Sequence, residues 1–185
     1  MRWILIRHGL TQGNLEGRYT GCRTDEPLCP KGVEALRRVS VPPVKRVFSS
    51  PMKRCLETAA ILYPLLVPEI VPDFRECDFG AFENKNYAEL NGRKDYQRWI
   101  DSGGGIPFPG GESRGSFSAR CVRAFDVLTK EDPAGDCALI VHGGTIMAIM
   151  EARALPRGGY YDFRVKSGQG YILEESGAYR PIGDG

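Results

Sequence analysis

Histidine is nearly missing: only His8 and His142 occur among 185 residues, so a site that uses histidine has at most two to draw on. A surplus of one charge is missing as well. Lys and Arg number 25 against 23 Asp and Glu, a net of +2, which offers no broad basic face to nucleic acid or an anionic membrane; any cationic site must be local. The apolar runs fall far short of the roughly 18 residues of a membrane span, and the first, Trp3 to Ile6, meets Arg7 before reaching the length of a signal-peptide core. The expectation is therefore a cytoplasmic protein without membrane or nucleic-acid partners. None of the six cysteines stands in a Cys-x-x-Cys pair, which excludes a zinc ribbon and a thioredoxin-type redox motif and favours free thiols in a reducing compartment.

Several phosphate motifs are absent too. There is no G-x-x-x-x-G-K-[ST] loop and no G-x-G-x-x-G after a strand, so a nucleotide cradle of either kind is excluded. No arginine stands six residues beyond any cysteine, which removes a cysteine-nucleophile phosphate loop, and no Asp-x-Asp supplies an aspartyl nucleophile.

What is present reads as one domain over residues 1–185, with 42% hydrophobic and 26% charged residues. Trp3 to Ile6, Val44 to Phe48 and Ala138 to Val141 are short apolar runs expected to form buried strands of a largely parallel sheet. Ser50-Pro51 carries a helix-start signature ahead of the apolar face Cys55, Leu56, Ala59, Ala60 and Leu62. A second amphipathic helix is expected from Ser116 to about Lys130, and a third from Ile146 to Leu155 after a tight turn at Gly143-Gly144. The alternation indicates an α/β layered fold. Residues 73–111, broken by Gly103-Gly104-Gly105 and Pro107 to Gly111, read as an inserted cap, with short helical patterns at Tyr87 to Leu90 and Tyr96 to Ile100. Seven of the 18 aromatic residues (8 Phe, 8 Tyr, 2 Trp) lie between 74 and 108, which suits a lid with its own small core, an aromatic substrate mouth, or both. The tail from Tyr160 to Gly185 reads as strand pieces and turns.

In open parallel sheets ligands bind beyond the carboxyl ends of the strands. There the first strand runs into Arg7-His8-Gly9, the second into Ser49-Ser50 with Arg54 a turn into the next helix, and the third into His142-Gly143-Gly144. Two guanidiniums, two imidazoles and a helix N-terminus match a tetrahedral dianion such as phosphate. A metal is poorly served, because clustered carboxylates are lacking. With the other nucleophiles removed, a histidine held neutral among cations is the surviving candidate.

Leu5-Ile6-Arg7-His8-Gly9, Ser49 to Ala59 and Val141-His142-Gly143-Gly144 together resemble the histidine phosphatase superfamily, or phosphoglycerate mutase-like fold. Asn14, Gly17 to Gly21, Arg75 to Gly80 and Pro109 to Ser113 extend the resemblance, which covers about residues 1–150. It implies a mostly parallel central sheet with helices on both faces and a small inserted cap. It further implies that His8 becomes phosphohistidine, that Arg7, Arg54 and His142 hold the phosphoryl oxygens, and that Asn14, Thr20, Gly21 and Gly143 belong to the phosphate and substrate site. Glu76 matches the family's proton donor, which requires a desolvated carboxyl with a raised pKa; neighbouring Asp78 and Glu83 are alternatives. The implied ligand is a small phosphate ester, with no metal or cofactor, and a homodimer accords with the family.

The chain is shorter than the family's mutases, Gly143-Gly144 follows His142 as in its phosphatases, and Leu10 and Gly13 depart from residues frequent in the family. Hydrolysis is thereby favoured over transfer. The Arg18 to Gly21 loop and the Pro109 to Ser113 segment look most like those of α-ribazole-5'-phosphate phosphatases. The alternatives are a phosphoglycerate mutase and a non-catalytic module that binds phosphorylated ligands.

Overall fold

A computed structural model describes residues 1–131 and 135–182. The whole-chain domain reading and the tail reading therefore extend over residues 132–134 and 183–185, which lie outside the described residues. In chain order the elements are β1 (Arg2–Arg7), α1 (Gln12–Leu15), α2 (Pro30–Leu36), β2 (Arg46–Ser49), α3 (Lys53–Leu62), β3 (Glu69–Ile70), α4 (Tyr87–Leu90), α5 (Lys94–Asp101), α6 (Arg114–Lys130), β4 (Cys137–Val141), α7 (Gly143–Arg153), β5 (Gly170–Glu174) and β6 (Tyr179–Ile182), with 3-10 turns at 72–74, 80–82 and 160–163.

The strands form one α/β sheet in the order β3-β2-β4-β1-β5-β6. The first four are mutually parallel, and β5 and β6 extend the sheet antiparallel beyond β1. Central β4 is buried at all five positions, as a strand covered on both faces should be. Side-chain alternation divides the core: Trp3 and Leu5 face α6 and α7 in one layer, while Ile4 and Ile6 face Cys55 and Ala59 of α3 in the other. Helices thus cover both faces, and each buried aliphatic side chain contributes about 1.5–3 kcal/mol toward fixing where the strands end. Beside β1 the backbone of β5 comes so close that a Cβ on Gly170 would lie 1.7 Å from the Leu5 carbonyl oxygen, so only glycine fits.

Two local expectations need correction. The third helix begins at Gly143, with His142 as its N-cap, so the two glycines form its first turn rather than a separate turn. Similarly, Met52 rather than Ser50 is the N-cap of α3; the Ser50 hydroxyl is engaged with His142 instead. The 73–111 segment shares its apolar core with the helices it packs on. Its Phe82, Leu90, Tyr96 and Phe108 share an apolar cluster with Phe117 and Cys121 of α6 and Ala148 of α7. Among the described residues no helix is long and apolar enough to cross a membrane.

Candidate active site

Parallel register brings the chemistry together. Arg7 pairs with Val141 and Ser49 with Ile140, so β1, β4 and β2 end level with one another. The next residues continue the ladder, His8 N–H donating to Val141 O (2.9 Å) and Ser50 N–H to Ile140 O (3.0 Å). The His8 and His142 rings stand with centroids 5.2 Å apart and planes at 66°.

His8 is buried, and its Nδ1 lies 2.7 Å from Gly9 O. A carbonyl only accepts, so Nδ1 carries the proton and the neutral ring keeps its lone pair on Nε2. The Gly9 peptide is itself anchored, since its N–H donates to Thr58 Oγ1 (3.0 Å) and that hydroxyl donates to Arg54 O (2.6 Å). His142 is fully buried, with Nε2 2.8 Å from Ser50 Oγ and Nδ1 3.7 Å from Glu76 Oε2. Burial first, then the charges of Arg54 and Arg7, push both imidazoles well below their ordinary 6.5. Cys55 Sγ approaches His142 Nε2 at 3.7 Å, but burial pushes its thiol up to about 12, so it stays protonated and is a poor nucleophile.

These depressed values link stability to pH. The unfolded chain protonates its histidines near 6.5 whereas the native site resists, so stability present above that value is lost as the pH falls below it toward the native pKa values. Urea midpoints measured from roughly pH 7.5 down to 5 should decline, and a His8→Asn/His142→Asn variant should show a flatter profile. Equal slopes in the two proteins would contradict the neutral, buried assignment.

Arg54 is the largest fully buried side chain. Its Nη1 donates to Thr24 O (2.9 Å) and its Nη2 to Gly21 O (3.2 Å) and Thr20 O (3.4 Å). Thr20 and Gly21 are thus placed beside the guanidinium, as carbonyl acceptors. Glu83 holds that loop by accepting from the N–H groups of Gly21 and Arg23 (both 3.0 Å) and from the Thr24 hydroxyl (2.9 Å). Arg7 is anchored through Nη1 to Val165 O (2.8 Å). Of the five buried side-chain polar atoms without a hydrogen-bond partner among the described residues, three are Arg7 Nε, Arg54 Nε and Thr20 Oγ1. Two unpaired guanidinium donors beside the two histidines suit an anionic ligand.

Glu76 is 9% exposed, and burial raises its pKa against the opposing pull of the Cys77 N–H (2.9 Å from Oε1) and of Arg54 and Arg7. The alternatives are otherwise engaged. Asp78 pairs with Arg23 (2.8 Å) and accepts from Gly80 N–H (2.9 Å), and Glu83 serves the Thr20 to Thr24 loop. Gly143 lies against Arg7, where a Cβ would stand 3.5 Å from Nε, and a Cβ on Gly144 would come within 2.9 Å of Phe117 and 3.2 Å of Glu76 Oε1. Asn14 is occupied locally: it closes a capping box with Thr11 at the start of α1, and among the described residues none of its hydrogen bonds reaches the histidines.

Sequence reasoning missed Thr58, Glu83 as a loop organiser, and the Val165 carbonyl. The i, i+4 spacing of Arg54 and Thr58 on one helix face was a usable signal for the first; the others depend on distant segments meeting. Next to Glu76 opens a cavity of about 270 Å³, with Tyr19, Phe79, Trp99, Phe108 and Tyr160 among its walls and Arg114 and Gly144 beside them.

This strand-end cluster on this sheet matches a known class. The chain belongs to the histidine phosphatase superfamily, branch 1, whose family model matches residues 3–179, and it is accordingly an enzyme. It is 29% identical over 180 residues to the adenosylcobalamin/alpha-ribazole phosphatase of Salmonella typhimurium, covering 91% of this chain and 87% of that one. It is 31% identical over 164 residues to the 2,3-bisphosphoglycerate-dependent phosphoglycerate mutase 2 of Gloeobacter violaceus, covering 80% and 73%. Among solved structures, the alpha-ribazole phosphatase from Shigella flexneri has the same fold, with a TM-score of 0.84 over 98% of this chain and 96% of that one at 24% identity.

Proposed function

We propose that this enzyme is a metal-independent phosphomonoesterase that works through a phosphohistidine on His8, acting in the cytoplasm on a small ring-bearing phosphate ester such as α-ribazole-5'-phosphate. The carrying observation is the 2.7 Å contact of His8 Nδ1 with Gly9 O, which leaves Nε2 as a neutral nucleophile in the field of the Arg54 and Arg7 guanidiniums. In the first step Nε2 bonds to phosphorus and the P–O bond to the leaving group breaks. Glu76, whose pKa burial raises, gives its proton to the departing oxygen. In the second step water attacks the phosphohistidine, the Glu76 carboxylate takes a proton from it, the P–N bond breaks and inorganic phosphate leaves. Arg7, Arg54 and His142 hold the non-bridging oxygens, whose negative charge is offset by the guanidiniums and N–H donors. Ser50 Oγ, which also accepts from Met52 N–H (3.4 Å), pairs with His142 Nε2 (2.8 Å) and so fixes the orientation of that ring beside Glu76.

The aromatic walls beside Glu76 support the ring-bearing substrate. A volume of about 270 Å³ suits one compact ring system on the leaving-group side. The relationship to alpha-ribazole phosphatases accords with that reading. The test is a panel of phosphate monoesters that includes α-ribazole-5'-phosphate, assayed with a chelator present and compared by kcat/KM. Ring-bearing esters should rank first and the chelator should have no effect. Faster interconversion of 2- and 3-phosphoglycerate with a bisphosphate primer than hydrolysis of any ester would establish a mutase instead, and binding without turnover would leave only a phospho-ligand module.

A further inference from the structure

Among the described residues the Glu76 carboxyl accepts one hydrogen bond, from its neighbour Cys77 N–H. That local bond fixes the rotamer but not the distance to His142. The position of the carboxyl relative to the sheet is set by whatever holds the backbone from 75 to 78. Arg120, buried in α6, donates through Nη1 to Asp73 O (2.6 Å) and Arg75 O (3.1 Å). The other edge of the same guanidinium grips Glu112, Nε to Oε1 at 3.1 Å and Nη2 to Oε2 at 2.8 Å. Glu112 in turn accepts from Asp78 N–H through Oε2 (3.0 Å), while its own N–H donates to Asp78 O (2.9 Å).

We infer that Arg120 and Glu112 form a clamp that positions Glu76 for proton transfer by holding the peptide on both sides of it. The inference rests on Glu76 being the proton donor of the proposed reaction. Bidentate pairing uses one edge of the guanidinium fork and leaves the remaining donor for the two carbonyls, a geometry that fixes angle as well as distance. An apolar pair of the same volume could join α6 to this loop but could not direct bonds to Arg75 O and Asp78 N–H together. Such precision matters, since a misplacement of about 1 Å can cost about 10²-fold in rate. Neither residue touches the reacting atoms; both act through Glu76.

The test is the dependence on leaving group. p-Nitrophenyl phosphate releases a stabilised phenolate that needs no proton, whereas an alkyl phosphate such as glycerol phosphate releases an alkoxide that does. kcat/KM is the right measure because it reports the transfer to His8. In Arg120→Met and in Glu112→Gln, kcat/KM for the alkyl ester should fall about 10²-fold, the scale of general acid catalysis, while that for the aryl ester changes little. Arg120→Lys, which can keep the carbonyls or the carboxylate but not both, should fall between these variants and the parent. A parallel fall for both esters, or no fall for either, overturns the clamp. If Arg120→Met does not fold, Glu112→Gln decides by the same criterion. Glu76→Gln serves as the control: leaving-group dependence there but not in the clamp variants rejects only the clamp, and its absence from Glu76→Gln rejects Glu76 as the proton donor.

Discussion

His8→Ala should lower kcat/KM for every phosphate ester by at least about 10⁴-fold, the scale seen when one member of a cooperating catalytic unit is removed. The reason lies in the division of labour. Nε2 of His8 is the atom that would bond to phosphorus, and removing it leaves Arg7, Arg54 and His142 able to bind the dianion without a group to receive it. KM, where measurable, should therefore change far less than kcat. Rapid acid-free quenching of the parent enzyme with a ³²P-labelled ester should trap phosphate on the protein that is labile to acid and stable to base, as a phosphoramidate is, and the label should be absent from His8→Ala. Unchanged turnover in His8→Ala would remove it as nucleophile, as would an acid-stable label. Cys55 would not take over the role, since burial keeps its thiol protonated.

The next largest effect is expected for Arg54→Met. This guanidinium is fully buried, supplies an unpaired Nε to the site, and is a leading electrostatic cause of the low pKa values of both histidines. Losing a charged donor preorganised for the transferring group should cost about 10²–10³-fold in kcat/KM. Three carbonyls, of Thr20, Gly21 and Thr24, also lose their donor, and each buried acceptor left unsatisfied costs about 1–3 kcal/mol, so a lower melting temperature should accompany the loss. The sign of the pH effect separates catalysis from stability. With a positive neighbour gone, protonation of His8 becomes easier, its pKa rises, and the acid limb of the kcat/KM profile should move to higher pH. Retained kcat/KM with an unmoved acid limb in a folded Arg54→Met would place the residue outside the phosphate site.

Much of this site was legible because its core lies at strand ends. An apolar run that stops at a polar residue marks a carboxyl-end exit, and Arg7-His8, Ser49-Ser50 and His142 all follow such runs. Helix starts were less legible. Ser50-Pro51 carried a strong capping signal, yet a partner 92 residues away claimed the hydroxyl, since a fully buried imidazole needs a hydrogen-bond partner. The first turn of α7 was misread for a related reason. Two glycines usually announce a turn, but here the missing side chain of Gly144 makes room for Phe117 and Glu76 within a continuous helix.

The sparse histidines, the missing alternative nucleophiles and the order of the strand-end motifs were determined by the sequence alone, because they follow from residue type and hydrophobic period along the chain. Only the tertiary structure decided which ring nitrogen of His8 keeps its lone pair, which of Glu76, Asp78 and Glu83 is buried against His142, and how Arg120 and Glu112 bracket that carboxyl. Those outcomes depend on burial, and on which carbonyls, carboxylates and guanidiniums from distant segments come within about 3 Å of one another, the range over which a hydrogen bond fixes a proton. Neither is a property of local sequence.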